Sequence, residues 1–600
     1  MSIIALKKVT LYGASADVPR VLDSLQDFGR MHLVPLAEGS EPEPEENATA
    51  RSREAREALR HLLDAPTKRK QSSDEEAFDL GDVVARSVDN RRKKRALQER
   101  IDGLSARIAA VEPWGSFALP PVENLSGNRL WFYVVPHHLL RQMDPGDLAW
   151  EIVHRDNRHA FVALVSPTEP PPEAMPVPRS RLGKRSLRAL RCDLEEAEAE
   201  MEDLQIERWS LTRWISLLIR NLARADDETA RTRAREQALD TGEVFAVKGW
   251  VPARDIERLV EFARDEGLAC THADPGPEDS PPVLLENAPA VAPGEDLVGF
   301  YQLPGYGDWD PSPVVYVSFA LFFAMIIADA AYGAILGLIA LVLWKRMGES
   351  ASGRRGRRML AFISVACVVY GVMVGSYFGV TPQEGRLLGR LQVLDATDFG
   401  SMMPISIGIG VLQLALANLV NAWGRRGRWS ALAPVGWALA MLGGFAVYVG
   451  FAEGGTAALG VGLGLVFLFT SERPIRRALD VPMRVVDGVM ALTGVSKAFG
   501  DILSYLRLFA LGLSSASLAL TFNQLGTDIM GEGKGIALLL GLMVLVLGHG
   551  LNFILGIVSG VVHGLRLNVI ELYNWSVFGE GVPFQAFARQ SVQARDGGGG

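Results

Sequence analysis

The pattern of hydrophobic and polar positions divides the chain into two halves. Before about residue 310, apolar residues mix with charged ones in short strand-like and helix-like segments, and after Pro311 long apolar runs dominate. About 20 apolar residues in a helix are enough to cross the hydrocarbon core of a bilayer. The pattern therefore predicts a multidomain protein with a soluble half, 1–310, a helical membrane domain, 311–580, and a tail, 581–600, disordered at its end.

The soluble half contains two predicted α+β lobes. Strand-like residues at Ile3–Gly13 and Met31–Leu36 flank a helical pattern at Val18–Phe28, which predicts a small α/β lobe. Val244–Pro252 reads as a strand that returns to this lobe. A second α/β lobe is predicted from about Leu130 to Val165.

Two charged helical stretches flank the second lobe. Between about Ala50 and Ala110, and again after Arg179, apolar residues recur at steps of three and four, with a polar interruption at Arg208. Sustained seams of this kind are typical of coiled coils. They predict an antiparallel coiled-coil arm that joins the lobes, with a helical hairpin that dimerises as the alternative.

The first apolar segment, Pro313–Trp344, is too long for one perpendicular crossing. As a single helix it would extend about 48 Å, against a hydrocarbon core of about 30 Å. If it crosses twice, three basic clusters fall in cytoplasmic loops: Arg354–Arg358, Arg425–Arg428 and Arg473–Arg477. Cytoplasmic loops of membrane proteins carry an excess of Lys and Arg. We therefore predict a hairpin of two short spans.

Six further apolar segments bring the predicted total to about eight spans. They lie at about 360–380, 404–422, 432–450, 456–470, 484–524 and 535–572. About 40 helical residues extend about 60 Å, so the last two segments must tilt, break or project from the bilayer. We predict two long, tilted final helices.

The segment before the last holds a charge inside an apolar stretch. Arg507 lies within Gly500–Leu520. A charged side chain at the bilayer centre costs about 2.5–3.5 kcal/mol, so an intramembrane arginine is by default a functional candidate. The alternative is an arginine that extends to the interface or pairs structurally inside a bundle. Helical spacing places further polar residues on its face: Ser504, Ser514, Ser517, Thr521 and Gln524.

The last segment carries a second polar stripe. Its members recur at steps of three and four along one helix: His549, Asn552, Gly556, Ser559, His563 and Arg566. Polar faces on two membrane helices are unfavourable unless they meet each other or a polar pathway. The two helices therefore predict a charged path through the membrane.

Two strings in these segments resemble a known family. Ser504–Leu513 reads Ser-Tyr-Leu-Arg-Leu-Phe-Ala-Leu-Gly-Leu, and His563–Glu571 reads His-Gly-Leu-Arg-Leu-Asn-Val-Ile-Glu. Both closely resemble the last two membrane helices of the a/I subunit, the stator membrane subunit of V/A-type rotary ATPases. The tail string Gly579–Phe584 and the Asp-Ala-Ala-Tyr-Gly string at Asp329–Gly333 are similar to that family too.

The resemblance implies a mechanism and partners. It implies two offset half-channels for an ion, taken to be the proton, against a rotating ring of small membrane subunits that bear a buried carboxylate. Arg507 would attract the ionised carboxylate and block a direct leak, and Arg566 would assist. Peripheral stalk subunits, a central-stalk collar subunit and membrane lipid are the other implied partners, and ion flow would be coupled to ATP hydrolysis or synthesis.

The candidate half-channel residues are those of the two polar faces and their flanks. They are Asp501, Ser504, Ser514, Gln524, His549, Asn552, Ser559, His563 and Glu571. For each of them, a structural hydrogen bond between helices is an equally good alternative.

Composition excludes several other functions. The net charge of −8 gives no support for nucleic-acid binding, and three cysteines support neither a disulfide framework nor a metal site. No phosphate loop, HExxH or GxSxG motif occurs, so we expect no cofactor and no catalytic site of its own. The N-terminus lacks a signal-peptide core, so we expect the N-terminal half in the cytoplasm. We expect an integral membrane protein of a bacterial or archaeal cell membrane, with its C-terminus in the cytoplasm as well.

Two other classes of function stay open. A secondary ion transporter with a cytoplasmic scaffold domain would call for an inverted repeat and paired broken helices, and neither is visible in the sequence. A purely structural membrane anchor would leave the two polar-faced helices unexplained.

Overall fold

A computed structural model describes residues 3–36, 46–116, 127–143, 146, 148–171, 174–183, 185–382, 387–395, 398–473, 480–531 and 535–590. The chain forms two compact units that interleave in sequence. The first comprises Met1–Gly13, Arg30–Val34 and Ala246–Ala586, and the second comprises Ala14–Gly29, Pro35–Phe245 and Phe587–Gly600. The predicted disordered end of the tail, 591–600, and residues 474–479, which include most of the third basic cluster, lie outside the described residues.

The second unit is mainly helical. Its helices are α1 (Val18–Phe28), α2 (Glu46–Leu63), α3 (Leu80–Val111), α4 (Leu187–Leu211) and α5 (Ile215–Gln237). Helix α1 has the bounds that the sequence predicts. It carries a proline in its first turn and ends at Gly29, whose φ of 65° is the left-handed conformation that terminates many helices.

The stretch predicted to be helical from Ala50 to Ala110 is two helices rather than one. Helix α2 ends before Pro66, because proline disfavours helical backbone at the residue that precedes it. Helix α3 begins after Asp79, whose side chain accepts hydrogen bonds from the backbone N–H groups of Gly81 and Asp82.

Helices α3 and α4 pack along an apolar seam. Its buried members are Leu97, Leu104, Val111, Leu187, Leu190, Ala197 and Met201. Arg191 forms an ion pair with Glu112, and Glu200, further along α4, forms one with Arg100, which lies earlier in α3. The two helices therefore run antiparallel, while a supercoiled arm stays a prediction.

A buried polar cluster interrupts the packing of α2, α3 and α4. Arg208 donates two hydrogen bonds to the carbonyl oxygen of His61, at 2.9 Å from Nε and 2.5 Å from Nη2. The His61 Nε2 lies 3.1 Å from Oδ1 of Asn90, whose Nδ2 donates to the Leu204 carbonyl and to Glu207. Burial lowers the pKa of His61, and nearby cationic side chains, Arg208 first, lower it further.

We expect this cluster to make the packing of α2 and α3 sensitive to acid. Because the folded-state pKa of His61 lies below its ordinary value of about 6.5, the unfolded chain binds the proton more readily. The contribution of neutral His61 to the free energy of unfolding is therefore complete above the ordinary pKa of about 6.5, and it decreases as the pH falls below about 6.5. Hydrogen–deuterium exchange of α2 and α3, corrected for intrinsic rates, should be faster at pH 5.5 than at pH 7.5. His61→Gln should remove most of the difference, and an unchanged difference would contradict the assignment.

The second lobe is an antiparallel sheet. Its strands are β3 (Arg129–Pro136), β4 (Ala149–Arg155), β5 (His159–Ser166) and β6 (Arg179–Ser180), in the order β4-β5-β3-β6. The only helix among the residues described between 127 and 183 is a 3-10 turn, His137–Gln142. The prediction of an α/β lobe here is therefore wrong, because the described part of the segment after Pro136 forms a 3-10 turn instead of an α-helix.

The soluble part of the first unit is built on a second sheet. It contains β1 (Leu6–Ala14), β2 (His32–Val34), β8 (Val244–Pro252) and β9 (Ala269–Ala273), in the order β2-β8-β1-β9. Helix α6 (Ile256–Asp265) lies between β8 and β9 in sequence, and the two-residue strand β7 (Leu239–Asp240) precedes β8. The return of Val244–Pro252 to the first lobe agrees with the sequence prediction.

The rest of the first unit is helical. It consists of α7 (Pro293–Tyr301), β10 (Leu303–Pro304), α8 (Ser312–Ile327), α9 (Ala330–Val342), α10 (Trp344–Met347), α11 (Ala351–Val374), α12 (Leu387–Arg390), α13 (Phe399–Gly424), α14 (Leu432–Tyr448), α15 (Ala452–Phe469), α16 (Asp480–Leu492), α17 (Gly494–Leu503), α18 (Leu506–Gly531), α19 (Ile536–Arg566), α20 (Tyr573–Ser576) and β11 (Glu580–Gly581). By length and composition, six helical stretches in the described residues can cross a membrane, and α8 and α9 are shorter apolar helices. The count of eight crossings stays a prediction.

The long apolar segments are interrupted. Between α8 and α9, Ala328 has a left-handed φ of 49° and Asp329 caps the next helix. The segment before the last separates into α16, α17 and α18, with a break at Ser504–Tyr505. After α19 the chain continues as a π-helical turn, Leu567–Leu572. The sequence requires its longest apolar segments to tilt, to break or to project from the bilayer. The structure contains breaks.

Candidate functional site

Glycines bring α18 and α19 close to α8. A Cβ atom on Gly512 of α18 would lie 2.6 Å from the Met325 carbonyl oxygen of α8. A Cβ on Gly560 of α19 would lie 2.6 Å from the Phe323 ring of the same helix. Small residues allow apolar helices to approach this closely in membranes. One side of each polar helix is therefore covered by α8.

The other side of each helix is uncovered. On α18 the exposed positions include small and polar side chains, namely Ala510, Ser514, Ser517, Thr521 and Gln524. On α19, Arg566 is exposed and Ser559 is half-buried. The polar face predicted for α18 thus points away from the core of this chain.

Arg507 lies one residue after the start of α18 and is half-buried. Its Nη1 atom is buried and has no hydrogen-bond partner among the described residues. No carboxylate of the described part of the chain lies within ion-pair distance of it, and an uncompensated buried charge is strongly destabilising. Arg507 thus keeps an unpaired buried donor among the described residues.

Electrostatic interactions link a group of ionisable side chains, and we call it the arginine-side cluster: Asp501, Tyr505, Arg507, His563 and Glu571. Glu571 is 3% exposed and lies within electrostatic range of Arg566, Arg507 and Asp501. Tyr505, which is fully buried, lies in range of both carboxylates, and His563 lies in range of both arginines. The structure thus brings together candidates from two separate stretches of sequence.

Several polar atoms of the arginine-side cluster have no partner in the described part of the chain. They are the Tyr505 hydroxyl, Nη1 of Arg507, Nδ1 of His563 and Oε2 of Glu571. Asp501, by contrast, accepts a hydrogen bond of 2.8 Å from Nε1 of Trp575. Buried polar atoms almost always have partners, so each of these unpaired atoms calls for an explanation.

The π-helical turn buries Glu571. Its widened backbone follows α19 directly, and Asn568 and Glu571 within it are both buried. Asn568 accepts hydrogen bonds from Gln413, at 3.0 Å, and from the Ser318 hydroxyl. Single π-helical turns inside α-helices occur frequently at functional sites. Sequence reasoning missed Tyr505, Asn568 and Gln413, although Tyr505 and Asn568 lie inside the two recognised strings.

A second group, which we call the histidine network, consists of Tyr332, Ser515, Asn523, His549 and Asn552. Asn523 donates from Nδ2 to the Phe378 carbonyl, at 2.7 Å, so its Oδ1 is left to accept from Nε2 of His549, at 2.9 Å. Nδ1 of His549 then accepts from the Tyr332 hydroxyl, at 2.8 Å. Asn552 donates to the Tyr332 oxygen, at 3.1 Å, and to the Ser515 carbonyl, at 2.9 Å.

The hydrogen bonds of the histidine network are all made within the chain. His549 donates the Nε2 proton to the amide oxygen of Asn523. An amide group does not relay protons. This arrangement is the structural alternative that the sequence left open for His549 and Asn552. Transport by either residue stays a prediction.

Asp329 organises the beginning of α9. It is 3% exposed, and its two oxygens accept hydrogen bonds from four neutral donors. These donors are the N–H groups of Ala331, Tyr332 and Gly379 and the hydroxyl of Ser376. A Cβ on Gly379 would lie 2.7 Å from the Ala519 side chain, so the same carboxylate holds a turn against α18.

The chain was compared with known proteins at three levels. No family model matches it. It is 28% identical to the V-type ATP synthase subunit I of Chlamydia pneumoniae, over 85% of this chain and 86% of the relative. It is also 28% identical to the V-type ATP synthase subunit I 1 of Treponema pallidum, over 95% of this chain and 97% of the relative. The chain is homologous to V/A-type ATP synthase subunit I.

Further similarity extends to archaea. The A-type ATP synthase subunit I of Methanocaldococcus jannaschii is 27% identical over 66% of this chain and 63% of the relative. The chain also matches a solved crystal structure, that of the cytoplasmic N-terminal domain of subunit I, homolog of subunit a, of V-ATPase. The identity is 18% and the TM-score is 0.25, over 44% of this chain and all of that one. The relatives confirm the resemblance to subunit I that the sequence strings predict. The roles of individual residues in this subunit I homologue stay predictions.

Proposed function

We propose that this chain is the stator membrane subunit of a V/A-type rotary ATPase or ATP synthase. In this function α18 and α19 form ion half-channels against a rotating ring of small subunits, each with a buried carboxylate. Proton movement through them is coupled to ATP hydrolysis or synthesis on other subunits. The observation that carries the proposal is the half-buried Arg507, whose Nη1 is unpaired among the described residues, on a helix with an uncovered polar side.

Arg507 supplies the fixed charge that such a mechanism requires. An ionised ring carboxylate is unfavourable in lipid, whereas a protonated one is tolerated. At about 4 Å and an effective dielectric constant of about 20, a guanidinium attracts a carboxylate by about 4 kcal/mol. Because arginine does not lose its proton, it cannot relay one and so blocks a direct leak. Each ring carboxylate must then exchange its proton before and after it passes Arg507.

The arginine-side cluster offers a route for that exchange. Glu571 and Asp501 are carboxyl groups on different helical segments, and Tyr505 lies within electrostatic range of both. A carboxyl group with an unpaired oxygen can accept a proton and release it again, which the saturated histidine network cannot do without breaking its bonds. We assign proton exchange to Glu571, with Asp501 as its neighbour on the route and His563 and Arg566 setting the local field.

The remaining partners follow from the relatives. The soluble half would bind peripheral stalk subunits and a central-stalk collar subunit in the cytoplasm, and the C-terminus would lie on the same side, as the excess of Lys and Arg in cytoplasmic loops suggests. The membrane would be that of a bacterial or archaeal cell.

Cross-linking tests the ring assignment. With the three native cysteines replaced, a photoreactive maleimide on Ser514→Cys or Ser517→Cys should capture a small membrane subunit in membranes that contain the assembled complex. Both positions are exposed on the arginine-bearing helix. The control is Val365→Cys on α11, where the valine is 60% exposed. Equal capture of the small subunit from both helices, or none from α18, would contradict the proposed interface.

A further inference from the structure

The arginines of the first basic cluster are bound to the chain itself. Arg355 forms ion pairs with Glu295, at 3.1 Å, and with Asp296, at 3.0 Å. Arg358 donates to the Pro289 carbonyl, at 2.6 Å, and the Arg357 guanidinium stacks on the Trp344 ring at 4.7 Å. Arg354 donates to the Gly348 carbonyl. Each arginine of this cluster therefore has at least one contact within the protein.

The second basic cluster is different. Arg425 lies 3.8 Å from Glu472, but neither Arg426 nor Arg428 has an ion pair with any residue that the structure describes. Both are exposed, and an exposed tryptophan flanks each of them in sequence: Trp423 at 67% and Trp429 at 79%. We call Trp423, Arg426, Arg428 and Trp429 the indole–guanidinium patch.

The side chains of this patch have defined positions. The Arg426 guanidinium lies 5.0 Å from the Trp423 ring centroid, and the Trp429 ring stacks on Phe469 with centroids 6.2 Å apart. Gly427, with a φ of 88°, makes the turn between the two arginines, a conformation that L side chains rarely adopt. The patch thus presents Arg426 against the Trp423 ring, Trp429 against Phe469, and an exposed Arg428 next to Trp429 in sequence.

The position of the indole–guanidinium patch between two apolar helices indicates the kind of partner that it binds. The patch joins the end of the apolar helix α13 to the 3-10 turn Trp429–Ala431 that leads into α14, and both helices are among those long and apolar enough to cross a membrane. Tryptophans at such helix ends lie at the level of lipid headgroups. Guanidinium groups bind phosphate oxygens in a bidentate manner that suits a phosphodiester.

We propose that the indole–guanidinium patch is a binding site for an anionic phospholipid, with Arg426 and Arg428 on the phosphodiester and Trp423 and Trp429 at the headgroup boundary. The proposal requires membrane insertion but not ion translocation, so its failure would leave the proposed function intact. Direct contact between an exposed guanidinium and a lipid phosphate strengthens binding by up to about fivefold, which predicts an effect of about thirtyfold for the pair.

The test measures lipid binding to the purified full-length chain by native mass spectrometry. Dioleoylphosphatidylglycerol is titrated against dioleoylphosphatidylcholine as the neutral reference. The double variant Arg426→Gln/Arg428→Gln should lower the affinity for phosphatidylglycerol about thirtyfold and leave phosphatidylcholine unchanged. The control Lys345→Gln/Arg354→Gln removes the same number of charges from the other loop and should change affinity less than twofold.

Three results would overturn the proposal. An equal loss in both double variants would show a general charge effect, and no loss would assign the patch to another partner, such as an acidic protein segment. Full displacement of the lipid by millimolar inorganic phosphate would show a free-anion site instead.

A Trp423→Ala/Trp429→Ala variant should also weaken phosphatidylglycerol binding, since the indoles hold the headgroup boundary.

Discussion

Arg507→Ala is expected to abolish ATP-driven ion uptake while the complex remains assembled. The substitution removes the charge that α18 contributes to the arginine-side cluster, and with it the proposed attraction of about 4 kcal/mol for the ring carboxylate. We therefore expect coupled transport to fall at least about a hundredfold. Arg507→Lys should also fail or nearly fail, because an ammonium is a flexible point charge that can lose its proton when desolvated. The measurement is ion uptake into reconstituted vesicles beside the ATPase activity of the same preparation.

Arg566→Ala is the matched control for this experiment. Arg566 is the corresponding cation of α19, but it is exposed where Arg507 is half-buried. Water can replace part of its effect, so we expect a milder loss. Near-normal pumping by an assembled Arg507→Ala complex would refute the proposed mechanism, and equal losses in both variants would refute the distinction between the two arginines.

The local sequence predicts some elements closely and misses others for physical reasons. Helix α1 has the predicted bounds because its proline and its terminal Gly29 are local signals. The break at Ser504–Tyr505 has no such signal. Tyr505 is fully buried against α13, where a Cβ on Gly410 would lie 2.6 Å from its ring. That close approach depends on a partner helix about 90 residues away in sequence, which periodicity cannot reveal.

The candidate site likewise has features that the sequence predicts and features that it does not. Helical periodicity places His549 and His563 in a single stripe and treats them alike. The structure separates them, because His549 is hydrogen-bonded on both ring nitrogens while Nδ1 of His563 has no partner among the described residues. The difference comes from Tyr332 and Asn523, which lie on other helices. Sequence therefore predicts which helices are polar, and tertiary hydrogen bonding distinguishes the paired polar groups from the unpaired ones.

Glu571→Gln is expected to reduce coupled proton transport about tenfold or more. Glutamine keeps the size of the side chain but cannot carry a proton, and positioned acid–base groups typically contribute a hundredfold or more to proton transfer. Glu571→Asp, which retains the carboxyl group, should recover part of the rate and shift its pH profile. Initial rates of ATP-driven acidification of vesicles across a range of pH would measure both effects.

The matched control is His549→Gln on the same membrane segment. Glutamine can replace part of the bonding to Tyr332 and Asn523, so we expect a lower thermal stability but less than about a threefold change in coupled transport. This pair of variants separates the two groups of polar residues: loss of a proton carrier affects rate, whereas loss of a hydrogen-bonded support affects stability. If His549→Gln stopped transport in a stable complex while Glu571→Gln pumped normally, the proton route would run through the histidine network, and the assignment to the arginine-side cluster would be wrong.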